Sequence, residues 1–484
     1  MNEQKHELHK NWTLFAACLG TFMLLIDVTI VIVALPSIRE SLHTSFSDVQ
    51  WTIDAYSLSL ASLLLALGSL GDIIGRRRVF AGGLAIFTLG SLLCGVSQSG
   101  VMLVICRAFQ GIGGATILPS ALALLAQTFH GKERGFAFGV WGAIAGAASG
   151  IGPLLGGLLT SELSWRWIFY VNLPIGVVAI VITLTRVREF RPPHARRIDY
   201  PGVAVFTGGL FALVYGLIES SRDGWGSAHV VIALIVAGVL LGAFPLLEHT
   251  RREPMFDLKL FRKPTFVGGS VAAFGMNGSL FAMLLYITLY LQNAHGYSPL
   301  GAGLRQSIIT FAMMLTAIPA GRFSQRIPTR LPIGIGLIIV GIGLLLMRGL
   351  TAGSDWTHLL PGFIVAGIGA GFVNPPLAST AIGVVAPQDA GMASGINNTF
   401  RQVAIATAVA TLGTIFAGGL AHATRVTLRG DYASTLNELL LIAALLAFVS
   451  GLLALVLIRQ KDFVAHGAPP TPAQQPADPQ PLAG

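Results

Sequence analysis

The chain has 484 residues, of which 53% are hydrophobic and only 11% charged, and its mean hydropathy is +0.72. Because soluble domains carry about a quarter charged residues, this composition excludes an ordinary soluble protein. The formal net charge of +9 is assigned to loops beside anionic lipid headgroups. Binding of nucleic acid would need a basic face on a soluble domain, so we expect no nucleic-acid partner.

Apolar runs of about 20 residues, long enough to cross a bilayer as helices, recur almost from end to end. They predict an all-α polytopic membrane protein with fourteen spans, in chain order 12–36, 49–70, 79–97, 101–126, 136–160, 166–187, 201–219, 229–247, 265–291, 300–321, 331–349, 357–382, 397–420 and 435–458. Most Lys and Arg residues fall in the loops on the side of the N-terminus, which predicts that both termini are cytoplasmic.

A repeat divides these spans into two halves. Three residues of the fourth span recur 256 positions later in the twelfth: Gly111, Gly113 and Pro119 match Gly367, Gly369 and Pro375. We therefore predict two six-helix bundles, at 12–190 and 262–459, with two inserted linker helices within 198–250. Residues 1–11 and 460–484 are predicted cytoplasmic tails, and the second is expected to be disordered because it is rich in Pro, Ala and Gln.

Three charged residues lie deep in the first half. Asp27 precedes Pro36 by nine residues, about 13 Å below the outer end expected for its helix, while Asp54 and Arg107 lie about 8 and 9 Å deep on the same side. A charge inside the bilayer costs about 2.5–3.5 kcal/mol unless it faces water or a partner. We predict that Asp27, Asp54 and Arg107 meet in the outer half of one cavity and couple transport to protons. The alternative is a static structural ion pair between Arg107 and one Asp.

The loop between the second and third spans holds an acid between two glycines, followed by a basic cluster. We predict that Gly68, Asp72, Gly75, Arg76 and Arg77 form a gating loop, which latches the cytoplasmic side through bonds between helix ends. The alternative is a basic cluster that only sets topology. The second copy of this loop has Gln325 at the position of the acid, which predicts that its latch is lost.

The fifth span is rich in glycine, and its small residues and proline are Gly146, Gly150, Gly152, Pro153, Gly156 and Gly157. Small residues one turn apart let another helix approach closely, and a proline allows a bend. This segment is either a device that sets the direction of transport or simple packing.

These motifs resemble those of the major facilitator superfamily. The stretch 68–78 is similar to that family's loop signature between the second and third helices. The stretches 26–36, 51–56, 107–113 and 150–157 resemble motifs of its fourteen-helix drug:proton antiporter branch, although that branch usually has Asn at the position of Ile32. The resemblance covers nearly the whole chain and implies two six-helix bundles plus two extra helices.

The resemblance also implies an activity. It implies a proton-coupled exporter, a drug:proton antiporter, of amphipathic, cationic drugs, dyes or antiseptics, and hence a role in multidrug efflux and antibiotic resistance. It implies a monomer in the bacterial plasma membrane, with protons and the lipid bilayer as partners and the proton gradient in place of a cofactor. The alternatives are export of an endogenous metabolite or a self-made antibiotic, and a proton-coupled nutrient symporter.

Other polar and aromatic side chains are candidates for the substrate cavity. With Asp27 and Asp54, we assign Tyr56, Asn277 and Asn374 to that cavity, while interhelical hydrogen bonding is the alternative role of the two asparagines. The three cysteines lie singly within spans, so we expect no metal site, and no P-loop or Ser-His arrangement points to an enzyme.

Overall fold

The computed structural model describes residues 2–44, 46–189, 199–250, 258–323, 326–385, 390–420 and 427–463. Over these residues the chain is helical and contains no β-strand, because in an apolar medium only a helix satisfies its own backbone hydrogen bonds. The α-helices are α1 Asn2–Leu42, α2 Phe46–Ile74, α3 Arg76–Gly95, α4 Gly100–Thr128, α5 Gly131–Glu162, α6 Trp167–Tyr170, α7 Asn172–Arg186, α8 Tyr200–Asp223, α9 Ala228–Thr250, α10 Pro264–Met276, α11 Ala282–Leu289, α12 Pro299–Phe323, α13 Arg330–Leu346, α14 Leu360–Gly383, α15 Ala390–Gly419 and α16 Leu428–Leu457.

Thirteen helical segments among the described residues are long and apolar enough to cross a membrane. Helices α6 and α7 together form one of them, and α10 and α11 both belong to another, Pro264–Ala294. The remaining predicted span, 331–349, corresponds to α13, an apolar helix of 17 residues, about 26 Å long. Its first turn packs at Gly334 against the end of α16 and its last turn at Gly343 against the start of α14, so it runs antiparallel to both.

Matching glycines make matching contacts in the two halves of the chain. A Cβ atom built on Gly113 of α4 would lie 2.8 Å from the carbonyl oxygen of Gly83 in α3. In the second half, a Cβ atom on Gly369 of α14 would lie 2.6 Å from the carbonyl oxygen of Gly336 in α13. Each glycine therefore allows two helices to touch through their backbones, and the pair of helices is packed alike in both halves.

The two inserted helices lie beside the junction of the halves. Helices α8 and α9 pack on each other, and α8 also packs on α2 of the first half and α15 of the second. Trp51 of α2 stacks on Tyr215 of α8 with ring centroids 6.1 Å apart. This hairpin therefore covers the line along which α2 and α15 meet.

The first and ninth spans differ from their predicted form. Helix α1 continues through Pro36 to Leu42, so the helix end predicted at Pro36 is wrong, and so is the depth of Asp27 measured from it. A proline removes one backbone donor but bends a long helix rather than ending it when its neighbours hold the chain. The ninth span contains two π-helical turns, Asn277–Phe281 and Tyr290–Ala294, which periodicity did not predict.

The two halves touch at the face where α1 begins and α16 ends, which we call the terminal face. There a Cβ atom built on Gly68 of α2 would lie 2.8 Å from the carbonyl oxygen of Gly391 in α15. Nearby, Arg134 at the start of α5 donates from Nη2 to the carbonyl oxygen of Ser379 in α14, at 3.2 Å. Backbone contact and a hydrogen bond between the halves close the molecule at this face.

Candidate functional site

A buried ion pair occupies the interior of the first bundle. Arg107 of α4 donates from Nη1 to Oδ2 of Asp27 in α1 at 2.6 Å, and the two side chains are 1% and 0% exposed. The guanidinium also donates from Nε to the carbonyl oxygen of Thr52 in α2, at 3.1 Å. The ring of Tyr56, one turn further along α2, lies 4.1 Å from the guanidinium carbon. The geometry therefore joins two of the three predicted charged residues inside one bundle.

Three polar residues that were not predicted as site residues complete this cluster. Gln110 accepts from Nη1 of Arg107 at 2.6 Å and donates from Nε2 to Oδ1 of Asp27 at 3.0 Å. Asn172, the first residue of α7, donates to the same carboxylate oxygen at 2.9 Å. Ser91 of α3 accepts from the amide groups of both. A glutamine three residues after Arg107, one helical turn away, was the only signal of this network in the sequence.

These contacts fit an ionised carboxylate. Asp27 accepts a hydrogen bond from the guanidinium and from two amide groups, which together replace the water that a charged group loses on burial. Removing one member of such a pair leaves an uncompensated charge, which is costly in a buried site. Asp27 and Arg107 are therefore each other's counterion inside the first bundle.

Asp54 lies on a different side of α2. Thr52 and Tyr56 are one turn apart and both contact Arg107, whereas a residue midway between them points about 200° away on a helix. That direction is the one in which Leu58 and Ala61 pack against α8 and α15. Asp54 is half-buried there and takes part in a polar or electrostatic interaction. Depth alone suggested that it joins the other two charges, but the helical period directs it toward the second half.

The glycines of α5 form two contact faces. A Cβ atom on Gly146 would lie 2.7 Å from Cε of Met313, and one on Gly150 would lie 2.8 Å from Cγ2 of Thr310, both in α12 of the second half. Gly157 continues this face toward Leu300.

The opposite face of α5 packs on α1 within the first half. Gly152 contacts Thr29, and a Cβ atom on Gly156 would lie 2.8 Å from the carbonyl oxygen of Ile30. Pro153 lies on the same helix, and its side chain is outside the described part of the chain. Helix α5 therefore joins the helix that carries Asp27 to the second bundle.

The predicted gating loop lies at the terminal face. Gly75 has a φ of +111°, and Oε1 of Glu189 would lie 2.7 Å from a Cβ atom at this position. The backbone N–H of Arg77 donates to that same oxygen at 3.1 Å. Arg76, 1% exposed, donates to the carbonyl oxygen of Ala123 at 3.2 Å. Glu189, just beyond the sixth span, is thus a partner of this loop that was not predicted from the sequence.

Two residues of the loop prediction cannot be placed in the same way. Asp72 lies in α2, but its side chain is outside the described part of the chain, and Gln325 falls between described segments. Gly68 contacts the second half directly, at Gly391 on the terminal face. The latch role of the loop therefore stays a prediction.

The two cavity asparagines of the second half are both largely buried. Asn277, 6% exposed, donates to the carbonyl oxygen of Ala273 on its own helix at 2.8 Å, at the start of the first π-helical turn. Asn374, 9% exposed, donates to Sδ of Met313 at 3.6 Å and accepts from Nη1 of Arg401 at 3.2 Å. Asn374 therefore lies among α12, α14 and α15, at the side of the second bundle that meets α5.

Comparisons with known proteins identify the family. The sequence profile of the Major Facilitator Superfamily matches residues 17–409. The chain is 36% identical over 409 residues to the multidrug resistance protein Stp of Mycobacterium tuberculosis, covering 84% of this chain and 76% of that protein. It is 36% identical over 416 residues to the puromycin resistance protein pur8 of Streptomyces alboniger, covering 85% of this chain and 82% of that protein.

A solved structure shows the same fold. The human organic anion transporter MFSD10 (TETRAN) matches with a TM-score of 0.63 and 15% sequence identity, covering 92% of this chain and 99% of that one. At this identity the likeness is one of fold alone. The family match spans most of the chain, and the relatives at 36% identity are named for drug resistance. The chain therefore belongs to the major facilitator superfamily, in a branch of drug-efflux transporters, and is a multi-pass membrane transporter and not an enzyme.

Proposed function

We propose that this protein exports amphipathic compounds in exchange for protons, and that Asp27 carries the proton. The observation that carries the proposal is the fully buried contact between Asp27 and Arg107. Relatives named for multidrug and puromycin resistance support a drug or antibiotic as the cargo. The proton gradient is the driving force, and the protein works as a monomer without a cofactor.

Coupling follows from the electrostatics of the pair. While Asp27 is ionised, it is the counterion of Arg107, and Gln110 holds both. A proton on Asp27 removes that counterion and leaves a buried cation, a state that costs about 3–5 kcal/mol. The first bundle lowers this free energy by moving Arg107 toward another acceptor or toward water. Because α5 contacts both α1 and α12, such a movement is passed to the second half.

The preference for cations is proposed from Asp54. This carboxylate is half-buried on the side of α2 that faces α8 and α15, where a positively charged group on a substrate gains a counterion. With both termini in the cytoplasm, the closed terminal face is the cytoplasmic one. A substrate released from this conformation leaves on the outer side, as export requires.

The test compares the variant Asp27→Asn with the wild type in an efflux-deficient bacterial host. Dye efflux from energised cells is measured with and without an uncoupler, and proton movement is measured on adding drug to membrane vesicles. We expect the wild type to lose efflux with the uncoupler, and Asp27→Asn to lose coupled efflux at every pH. The control is Glu133→Gln, which removes an acid that is 51% exposed and paired with Lys10 at the terminal face.

The outcomes separate the alternatives. Normal, pH-dependent transport by Asp27→Asn would show that Asp27 is only a structural partner of Arg107. Proton-driven uptake by the wild type would favour a nutrient symporter over an exporter. Export of a metabolite made by the host, with no efflux of any compound in a drug panel, would favour the endogenous-metabolite alternative.

A further inference from the structure

A second arginine lies deep in the membrane, in the second bundle. Arg401 follows the first residue of α15 by eleven positions, so it lies about 16 Å along the helix from the terminal face. It belongs to the candidate span Ala390–Gly419 and is half-buried. An arginine at this depth needs a reason to be there, since a charge near the centre of a span costs about 2.5–3.5 kcal/mol.

The partners of Arg401 are amide oxygens. Its Nε donates to Oδ1 of Asn397 at 3.2 Å, and its Nη1 donates to Oδ1 of Asn374 at 3.2 Å. Within the described residues it forms no ion pair, in contrast to Arg107. Two of its five N–H donors are used in these bonds, so the two asparagines orient the guanidinium without neutralising it.

The direction of the side chain follows from its neighbours on α15. Gly391 and Gly395 face α2 of the first bundle, where they approach Gly68 and Leu65. Ala404 faces the other way and approaches Gly278 in the π-helical turn of the ninth span. At about 100° per residue, Arg401 lies between these two directions.

Asn374 gives the same direction independently. It contacts Met313, and Met313 in turn contacts Gly146 of α5, so the Asn374 amide lies where the second bundle meets the first. The guanidinium is therefore directed toward the junction of the bundles and not toward lipid.

We propose that Arg401, held in place by Asn374 and Asn397, binds a negatively charged group of the exported compound, such as a carboxylate. A guanidinium presents parallel N–H donors that match the two oxygens of a carboxylate, and the ligand supplies the counterion that no described residue provides. This inference rests on the proposed export function and refines its cargo. Substrates that also carry a cation place it near Asp54 on the first bundle, which makes amphipathic zwitterions the preferred class.

Two dyes of nearly identical shape test the proposal. Rhodamine 110 carries a free carboxylate, and rhodamine 123 is its methyl ester, so the pair differs by one methyl group that removes the negative charge. Efflux of each dye is followed in energised cells that express the wild type, Arg401→Gln, Arg401→Lys or the control Arg348→Gln. Arg348 lies exposed in the loop between α13 and α14 and donates from Nε to the carbonyl oxygen of Asn437 in α16.

We expect Arg401→Gln to lower the efflux of rhodamine 110 at least tenfold and that of rhodamine 123 less than twofold. Arg401→Lys keeps the charge without the paired donors, so it should retain an intermediate rate for rhodamine 110. Both rates should stay unchanged in Arg348→Gln. The amount of each variant in the membrane and its melting temperature show whether it folds.

Other results would overturn the proposal. A structural role would be shown if Arg401→Gln lowered the efflux of both dyes equally and Arg401→Lys also exported both dyes more slowly than the wild type. No loss for either dye would show that Arg401 does not contact the cargo. Export of rhodamine 123 but not rhodamine 110 by the wild type would reject the anionic subsite and leave the export function standing, while export of neither dye would count against both.

Discussion

The buried pair of Arg107 and Asp27 depends on the polar side chains around it. The pair is almost completely buried, and Gln110 and Asn172 donate hydrogen bonds to the carboxylate while Ser91 accepts from both of their amide groups. The acid and the base were predictable, since charges inside apolar runs are rare. The amide and hydroxyl partners were not, because Gln, Asn and Ser occur throughout membrane helices and only the packing of four helices reveals which of them converge.

Gly75 is needed for the conformation of its backbone. Its φ of +111° is a conformation that residues with a Cβ atom rarely adopt, and the carboxylate of Glu189 fills the space a side chain would take. We predict that Gly75→Ala lowers stability by about 1–3 kcal/mol and displaces Glu189 from the N–H of Arg77. The melting temperature in detergent measures the loss of stability, and dye efflux measures whether the displacement of Glu189 impairs transport.

The control for Gly75→Ala is Gly82→Ala in the neighbouring helix α3. Gly82 has a helical backbone and no heavy atom within 4 Å of a Cβ atom built there. Alanine favours a helix over glycine by about 1 kcal/mol, so Gly82→Ala should be neutral or stabilising. Equal effects of the two substitutions would contradict the strained-loop interpretation.

At the scale of elements, α5 is the helix through which the two bundles are in longest contact. It packs on α12 through Gly146 and Gly150 and on α1 through Gly152 and Gly156. The sequence predicted close packing at this segment, and the structure identifies the partners. That this segment sets the direction of transport stays a prediction, and simple packing of helices is the alternative.

We predict that Gly150→Leu lowers efflux at least tenfold, because a Cβ atom there would already lie 2.8 Å from Thr310 and a larger side chain would push α12 away. The matched control is Gly242→Leu in α9, where nothing lies within 4 Å of the added atom. Efflux in energised cells is compared at equal amounts of protein in the membrane. Normal efflux by Gly150→Leu would mean that α5 and α12 separate easily during transport.

The spans were predictable from composition, whereas the grouping of Asp54 with the other two charges ignored the helical period. Runs of apolar residues predicted the spans well, because composition alone determines which segments enter the bilayer. Asp54 was grouped with Asp27 and Arg107 by depth, although the period of 3.6 residues turns it away from Thr52 and Tyr56. The π-helical turns of the ninth span were missed because an extra residue per turn leaves no mark in the sequence.

At the scale of the whole molecule, the described helices form two similar bundles that are closed against each other at the terminal face. Residues of α4 such as Leu122 and Leu125 share an apolar cluster there with Ala378 and Ile382 of α14. The repeat was visible in the sequence through glycine spacing. The sequence does not show which face is closed, because the same helices and the same local packing preferences occur in both conformations of a transporter.

We predict that the terminal face is cytoplasmic. In intact cells, a membrane-impermeant maleimide should label Gly226→Cys, in the open loop between α8 and α9, and should label Lys461→Cys only after permeabilisation. The native cysteines are buried and give little background: Cys18, Cys94 and Cys106 are at most 8% exposed. Labelling of Lys461→Cys in intact cells would reverse the orientation.

The confinement of the Asp27 cluster to one bundle has a consequence for how resistance evolves. The three groups that donate to this carboxylate, on Arg107, Gln110 and Asn172, all belong to the first bundle. Under the proposed mechanism, we expect substitutions on α12, α14 and α15 to change which compounds the junction of the bundles accepts while the Asp27 cluster stays intact. Cargo range would then evolve in the second half of the gene without loss of the proposed proton carrier in the first.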